Sequence, residues 1–550
     1  NGSARPLSGP KDPGQRGLNA SATIRQRRSM SGCYDVAVVG RGHNGLVAAA
    51  YLAQAGQSVV VLEKGPTVGG MASTIEVAPG YRASSCFQSA ETFSPTISRE
   101  LNLSGHGLEV SRPRGTSVVA VDGQWLLFDG SGHLTGNGSQ MVSIADRAAI
   151  AELERLLYRT VRALAPLYQA ALPELQDLGA SDTLDLLRIG WRLRRLGRRD
   201  MREAIRFLPM SIRDVAEERF ESHILGAAIA GLGLQGGCNG PYAPGTAFVA
   251  LHHQIQNPRP LFSGPVFVKG GLGCLSDALS AAAQSAGAEV RTEAEVKLIE
   301  AADGLLQGVT LCNGEHVEAS IVVSDLDPQR TLLSLVDSRK LAPEFINAVS
   351  TIRARGGVGV VSFALDGIPD PPEGSAEVSL SGRVQIGASV VEQERAFDAM
   401  QCGELAEKPF LQLTIPTLAD PGLAPDGKHV ATAWVLGVPD NLDSLEESVA
   451  SGIETVLPGF TSRVVGCAVA TPSDIEERYG ATNGCLFGVD VSLDQALFLR
   501  PLPGWYRYNT PLRGLYLCGS STHAGGGITG LPGRNAARRI IEDLKAGKVG

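Results

Sequence analysis

The chain has 550 residues, 43% of them hydrophobic and 19% charged, with 66 glycines and a net charge of −8. That balance buries a large core and excludes a collagen-like or mainly disordered chain. The acidic average also argues against nucleic acid as a partner, because phosphate neutralisation needs clustered Lys and Arg. Nine cysteines are scattered without a CxxC or CxxxxC pair, and HExxH is absent, so no metal centre or redox-active disulfide is expected. Such thiols read as reduced and intracellular. No run of 18 apolar residues predicts a spanning helix, which leaves a soluble or peripheral protein.

The first 30 residues are basic and rich in Ser and Gly. They read either as a transit peptide, with a mitochondrial or plastid address, or as a linker ahead of Met30 in a cytoplasmic protein, and they stand outside the predicted fold. From Tyr34 the Val-rich run Asp35–Gly40 reads as a strand buried on both faces of a parallel sheet. Gly40-Arg41-Gly42-His43-Asn44-Gly45 then leads into a helix over Leu46–Ala55, stopped by Gly56, and a second Val-rich strand ends at Glu63.

In this strand–helix–strand setting Gly40 makes a tight turn and Gly42 lets a pyrophosphate approach the backbone. Gly45 lets helix and strand pack closely, and the helix N-terminus faces the anion. Glu63 closes the second strand, where a carboxylate accepts from ribose hydroxyls. The alternative is a glycine turn that serves packing alone. Gly231–Gly236 matches the same spacing, but Gly237-Cys238-Asn239-Gly240-Pro241 cannot continue a helix, so it reads as a packed turn.

The region 121–254 is helical in pattern. Within it Arg188, Arg192, Arg194, Arg195, Arg198, Arg199, Arg202 and Arg206 alternate with apolar residues, as in a cationic amphipathic helix lying on an anionic membrane. A solvated face or a contact in a homo-oligomer is the alternative. A strand at Phe267-Val268 runs through Gly270–Gly273 into a helix over Cys274–Ala286. Short strands at Glu289–Arg291, Ala294–Ile299, Gly308–Leu311 and Ile321–Ser324 read as a meander. Residues 331–500 are mixed, and the chain closes with a strand at Leu515–Gly519, a turn at Gly525–Gly527 and a helix over Arg534–Leu544. His523 and His253 are the acid–base candidates beside these turns, against purely structural roles.

The run Glu63-Lys64-Gly65-Pro66-Thr67-Val68-Gly69-Gly70-Met71-Ala72 and the closing segment Gly519-Ser520 through Gly526-Gly527-Ile528 resemble the phytoene desaturase-like enzymes of the FAD-dependent amine oxidase superfamily. Gly270–Gly273 and Asp325–Pro328 are similar to the same family, and the likeness spans about Tyr34 to Lys545. Tyr242–Thr246 with His252-His253, and Val491–Gln495, resemble one branch of it. The resemblance implies an α/β fold, a Rossmann-like FAD-binding domain with an inserted α+β substrate domain. Its parts would be FAD-binding at 31–120, 255–330 and 501–550, and substrate-binding at 121–254 and 331–500. FAD would then rest on the two glycine-rich runs, with Val296 holding the adenine through its backbone and Gly526, Gly527 and Ile528 under the flavin edge.

Two departures from the family pattern stand out: Ala524 replaces a common Pro, and Ser520 replaces an acidic residue. The implied activity is hydride transfer involving an apolar, polyene, isoprenoid or other lipid substrate. A non-redox isomerase using reduced flavin, or a flavoprotein kept as an interaction partner, are the other readings. A disulfide reductase is untenable without a CxxxxC pair.

Overall fold

The computed structural model describes residues 33–549 except 114, 120–122, 131–132, 176–177, 303, 371–379, 388, 441 and 443. The N-terminal extension expected at 1–30 lies outside the described residues. Cys33–Val39 (β1), His43–Gln54 (α1) and Val59–Leu62 (β2) form a parallel strand–helix–strand unit. Val36, Val38 and Val60 are fully buried, as the unbroken apolar runs require of strands covered on both faces.

These strands lie in a seven-stranded sheet. It runs from Glu289–Arg291 through β2 and β1 to His316–Ser324, which also pairs in parallel with Leu515–Leu517. The predicted meander follows: Val296–Ala302 and Leu305–Leu311 run antiparallel into His316–Ser324. The strands of this sheet therefore come from three separated stretches of chain. The closing helix, Leu531–Lys545, packs over α1 so tightly that a Cβ on Gly533 would stand 2.1 Å from the Asn44 carbonyl.

A second sheet of eight strands is antiparallel apart from the pairing of Thr116–Val119 with Arg383–Ile386. Thr116–Val119 belongs to it although it precedes the boundary expected at 120, because it pairs on both sides there. The region expected to be helical also contributes strands, Trp125–Phe128 and Leu134–Thr135, in which Trp125, Leu126, Phe128 and Leu134 are buried. The cationic stretch is two helices, Ala180–Arg194 and Gly197–Phe207. They part at Gly197, whose φ of +83° no continuing helix adopts. At the literal repeat, a Cβ on Gly231 would meet the Gln385 side chain at 2.5 Å and one on Gly233 the Thr246 carbonyl at 2.7 Å, so this turn is packed.

Candidate flavin site and substrate chamber

The glycines between β1 and α1 sit where side chains cannot. A Cβ on Gly42 would stand 2.4 Å from the carboxylate of Asp325, and one on Gly45 2.6 Å from the Gly40 carbonyl. Gly69 and Gly70 fold back on this turn: the Gly69 amide donates to the Arg41 carbonyl at 3.0 Å, and a Cβ on Gly70 would reach the Gly42 Cα. Ala72 is fixed behind them, its carbonyl accepting from Ser276 Oγ at 2.8 Å. Glu63 accepts backbone N–H groups from Arg41 and Gly65 at 3.0 and 2.8 Å, which aims its carboxylate along the same edge and leaves it further lone pairs.

Together these residues wall a cavity of about 400 Å³. Gly40, Gly42, His43, Glu63, Lys64, Gly69, Gly70, Met71, Val296 and Ser520 all line it. Asn44, Gly45, Ala72 and Gly519 stand behind the wall. A Cβ on Gly519 would press on the Asp325 carbonyl at 2.4 Å, while Asn44 Nδ2 donates to Ser520 Oγ at 3.1 Å. Ser520 is thus a neutral hydrogen-bonding partner at this turn.

The first turn also holds three buried polar atoms without partners among the described residues: Arg41 Nε, His43 Nε2 and Asn44 Oδ1. Native interiors seldom leave such groups unmade, so they point to a polar ligand. A dinucleotide fits: main-chain N–H groups at a helix start, a buried guanidinium for a diphosphate, and a carboxylate for a ribose. Arg41 emerges only from the fold, and the fold brings Asp325, from the family-like segment Asp325–Pro328, against the glycine turn. Burial pushes Asp325 up to about 7, against the backbone bonds from Gly45 and Gly42. Burial likewise takes His43 down to about 4, so its ring is neutral near pH 7.

Gly526 and Gly527 lie on the far side of Ser520, their backbone held from beneath. Gln256 Nε2 donates to the carbonyls of Gly525 and Gly526 at 3.0 and 2.9 Å. His252 Nε2 lies 2.9 Å from the Gly525 carbonyl and therefore carries the hydrogen; Nδ1 accepts from Tyr168 Oη at 2.9 Å. Burial drives His252 well below its usual range, in keeping with this neutral tautomer. Arg500, fully buried, donates to five carbonyls, those of Phe487, Asp490, Gln495, Ser520 and Thr522. Ala524 takes φ +62° in this turn, and Thr92 Oγ1 donates to the buried Ile528 carbonyl.

Gly527 opens onto an inner cavity of about 30 Å³, which shares Glu91, Gln235, His253 and Arg383 with an adjoining outer cavity of about 100 Å³. The inner part is walled by Phe87, Trp434 and Phe487, edge-to-face with ring centroids 5.7 to 6.3 Å apart. Trp434 Nε1 donates to the Cys86 carbonyl at 2.6 Å, so only its apolar faces meet the chamber. Of the two histidine candidates, His253 lines this chamber, with Nε2 2.5 Å from the Gln235 carbonyl and burial lowering its pKa. His523 is buried behind the turn, bonded through Nε2 to the Leu167 carbonyl and depressed to about 4 by burial. It lines neither cavity.

Comparison with known proteins agrees with this geometry. The sequence pattern of the family "Flavin containing amine oxidoreductase" matches residues 45–541. The chain is 32% identical to mouse (Mus musculus) pyridine nucleotide-disulfide oxidoreductase domain-containing protein 2, over 96% of this chain and 98% of that one. It is 26% identical to a lycopene-forming phytoene desaturase of Pantoea ananas over 55% of this chain and 61% of that enzyme. Among solved structures, putrescine oxidase bound to putrescine superposes with a TM-score of 0.59 at 18% identity, covering 93% of this chain and 99% of that one, and so supports the fold. The glycine cradle, the closing turn and these likenesses converge: the chain belongs to the flavin-containing amine oxidoreductase family and is an FAD-dependent oxidoreductase.

Proposed function

We propose that the protein dehydrogenates a lipid-like substrate, with an isoprenoid body lying in the chamber beside Gly527. The observation that carries this reading is the aromatic corner of Phe87, Trp434 and Phe487, a desolvated apolar wall at the turn expected under the flavin edge. FAD, when bound, accepts two electrons from a carbon as hydride. The aromatic corner orients the substrate carbon and keeps water out, and neutral His253, its nitrogens bonded to Gln235 and Gln256, adds an uncharged ring to the same wall. The name of the Pantoea relative, a phytoene desaturase, supports an isoprenoid class.

An anionic membrane as the docking partner suits such a substrate. Leu184, Leu187 and Trp191 form one stripe of the helix Ala180–Arg194 and are 53, 65 and 58% exposed. Arg192 and Arg194 on the same helix, and Arg198 and Arg202 on the next, have no ion-pair partners among the described residues, whereas Arg188, Arg199 and Arg206 are paired with carboxylates. An apolar stripe edged by free cations complements an anionic bilayer surface.

The test is anaerobic mixing of the FAD-loaded protein with isoprenoid alcohols and hydrocarbons. Bleaching of the oxidised-flavin band supports dehydrogenation. Turnover that requires prior reduction, with no net bleaching, supports the isomerase reading instead.

A further inference from the structure

The outer part of the chamber is charged where an apolar substrate would need nothing of the kind. Arg383 and Arg259 both face Glu91: Arg383 Nη2 lies 2.7 Å from Oε1, and Arg259 Nη1 4.0 Å from Oε2. The three side chains are 14, 21 and 23% exposed, so this is a recessed cluster, and all three line the cavity. Two guanidinium groups against one carboxylate leave one uncompensated positive charge. Arg383 Nε is, in addition, buried without a partner among the described residues. Burial is the largest influence lowering the Arg259 pKa, and the charges of Arg383 and Arg112 press the same way against the pull of Glu91. Holding a second guanidinium here is thus unfavourable in the protein alone.

The rest of the outer wall is polar as well. Gln235 donates to Gln412 Oε1 at 2.7 Å, Asn257 donates to the Glu91 carbonyl, and both Gln235 and Asn257 line the cavity. Arg383, Glu91 and His253 also line the inner part with Phe487 and Gly527, so the charged cluster and the aromatic corner adjoin.

We infer that the substrate ends in a single carboxylate, bound by Arg383 and Arg259, while its apolar body turns past Phe487 and Trp434 toward Gly527. A monoanion neutralises the excess charge and matches the fork geometry of guanidinium groups. The inference rests on the proposed oxidation in this chamber and specifies the class of molecule oxidised.

The experiment is calorimetric titration of the FAD-loaded protein with geranate and geraniol, one carbon skeleton with and without the carboxylate, and with geranyl diphosphate. Geranate is expected to bind about tenfold more tightly than geraniol, and Arg383→Gln to abolish the difference. Glu91→Gln, which leaves both guanidinium groups unopposed, should tighten geranate binding several-fold and leave geraniol unchanged. Equal affinity for acid and alcohol, no binding of either, preference for the diphosphate, or a geranate preference that survives Arg383→Gln would overturn the assignment. Binding is read as heat and is independent of turnover. If geranate binds through Arg383 yet never bleaches the flavin, the dehydrogenase reading fails while the carboxylate site stands.

Discussion

Asn44 and Ser520, 476 residues apart in sequence, are joined by a hydrogen bond of 3.1 Å from the Asn44 side-chain amide to the Ser520 hydroxyl. It ties the first turn of α1, where a dinucleotide's diphosphate belongs, to the end of the strand Leu515–Leu517, where the family's closing motif begins. The two ends of the chain are thereby one binding element. A neutral bond of this kind contributes about 1 kcal/mol. Asn44→Ala and Ser520→Ala should each weaken FAD binding about fivefold, and the double variant should lose little more than either single one. Fluorescence titration with FAD checks both expectations.

The folded pKa of Asp325 lies above its unfolded value, at about 7. The folded state therefore favours the protonated acid. Its contribution is complete below the unfolded range near ~4 and is lost as pH rises through 7. Asp325→Asn removes that titration while keeping an acceptor for the Gly42 and Gly45 amides. The Tm of the variant should gain on wild type between pH 5 and pH 8, which thermal melts at the two values would show. A constant difference across the range would place the Asp325 titration elsewhere.

Arg500 supports the closing turn from within the core, and no shorter cation reaches its five acceptors. Arg500→Lys keeps the charge with fewer and compact donors. We expect a loss of about 3 kcal/mol in denaturant unfolding, since buried carbonyls are left unmade around a buried charge. Flavin should also be released faster, because Ser520 and Thr522 lose their anchor.

The exposed stripe of Leu184, Leu187 and Trp191 predicts binding to vesicles containing phosphatidylglycerol and little binding to phosphatidylcholine alone. Leu187→Glu with Trp191→Glu should reduce sedimentation with the anionic vesicles about tenfold, because apolar contact is lost and negative charge is added beside the lipid. Equal sedimentation of wild type and variant would remove the membrane from the account.

How far the sequence was legible follows from where the chemistry sits along the chain. The strand–turn–helix at Gly40–Gly45 was readable because its Val runs, glycines and Glu63 are local and each has a steric or electrostatic reason. The backbone role of Gly519 was readable only through family likeness. Trp125–Phe128 was misplaced in a helical region because a four-residue apolar run carries no usable period, and its partner strand, Thr116–Val119, decides its fate. Arg41 and Arg500 gave no signal as site residues, since each acts through a contact made by folding, and Asp325 showed only through the family likeness of Asp325–Pro328. The chamber was illegible for the same reason. Phe87 is remote in sequence from Trp434 and Phe487, and Arg383 meets Glu91 across 292 residues of chain.

The central claim, that the nucleotide of FAD lies against the Gly42 turn and is closed in by the carboxy-terminal segment, is tested most directly by titrating FAD into wild type and Gly42→Ala. A Cβ at position 42 would stand 2.4 Å from the Asp325 carboxylate, and such overpacking costs ~1–3 kcal/mol. The account predicts one FAD per wild-type chain and an affinity about 10- to 100-fold weaker for the variant, partly restored when Asp325→Ser makes room. A correctly folded wild type that takes up no FAD, or a Gly42→Ala protein that binds it with unchanged affinity, would contradict it.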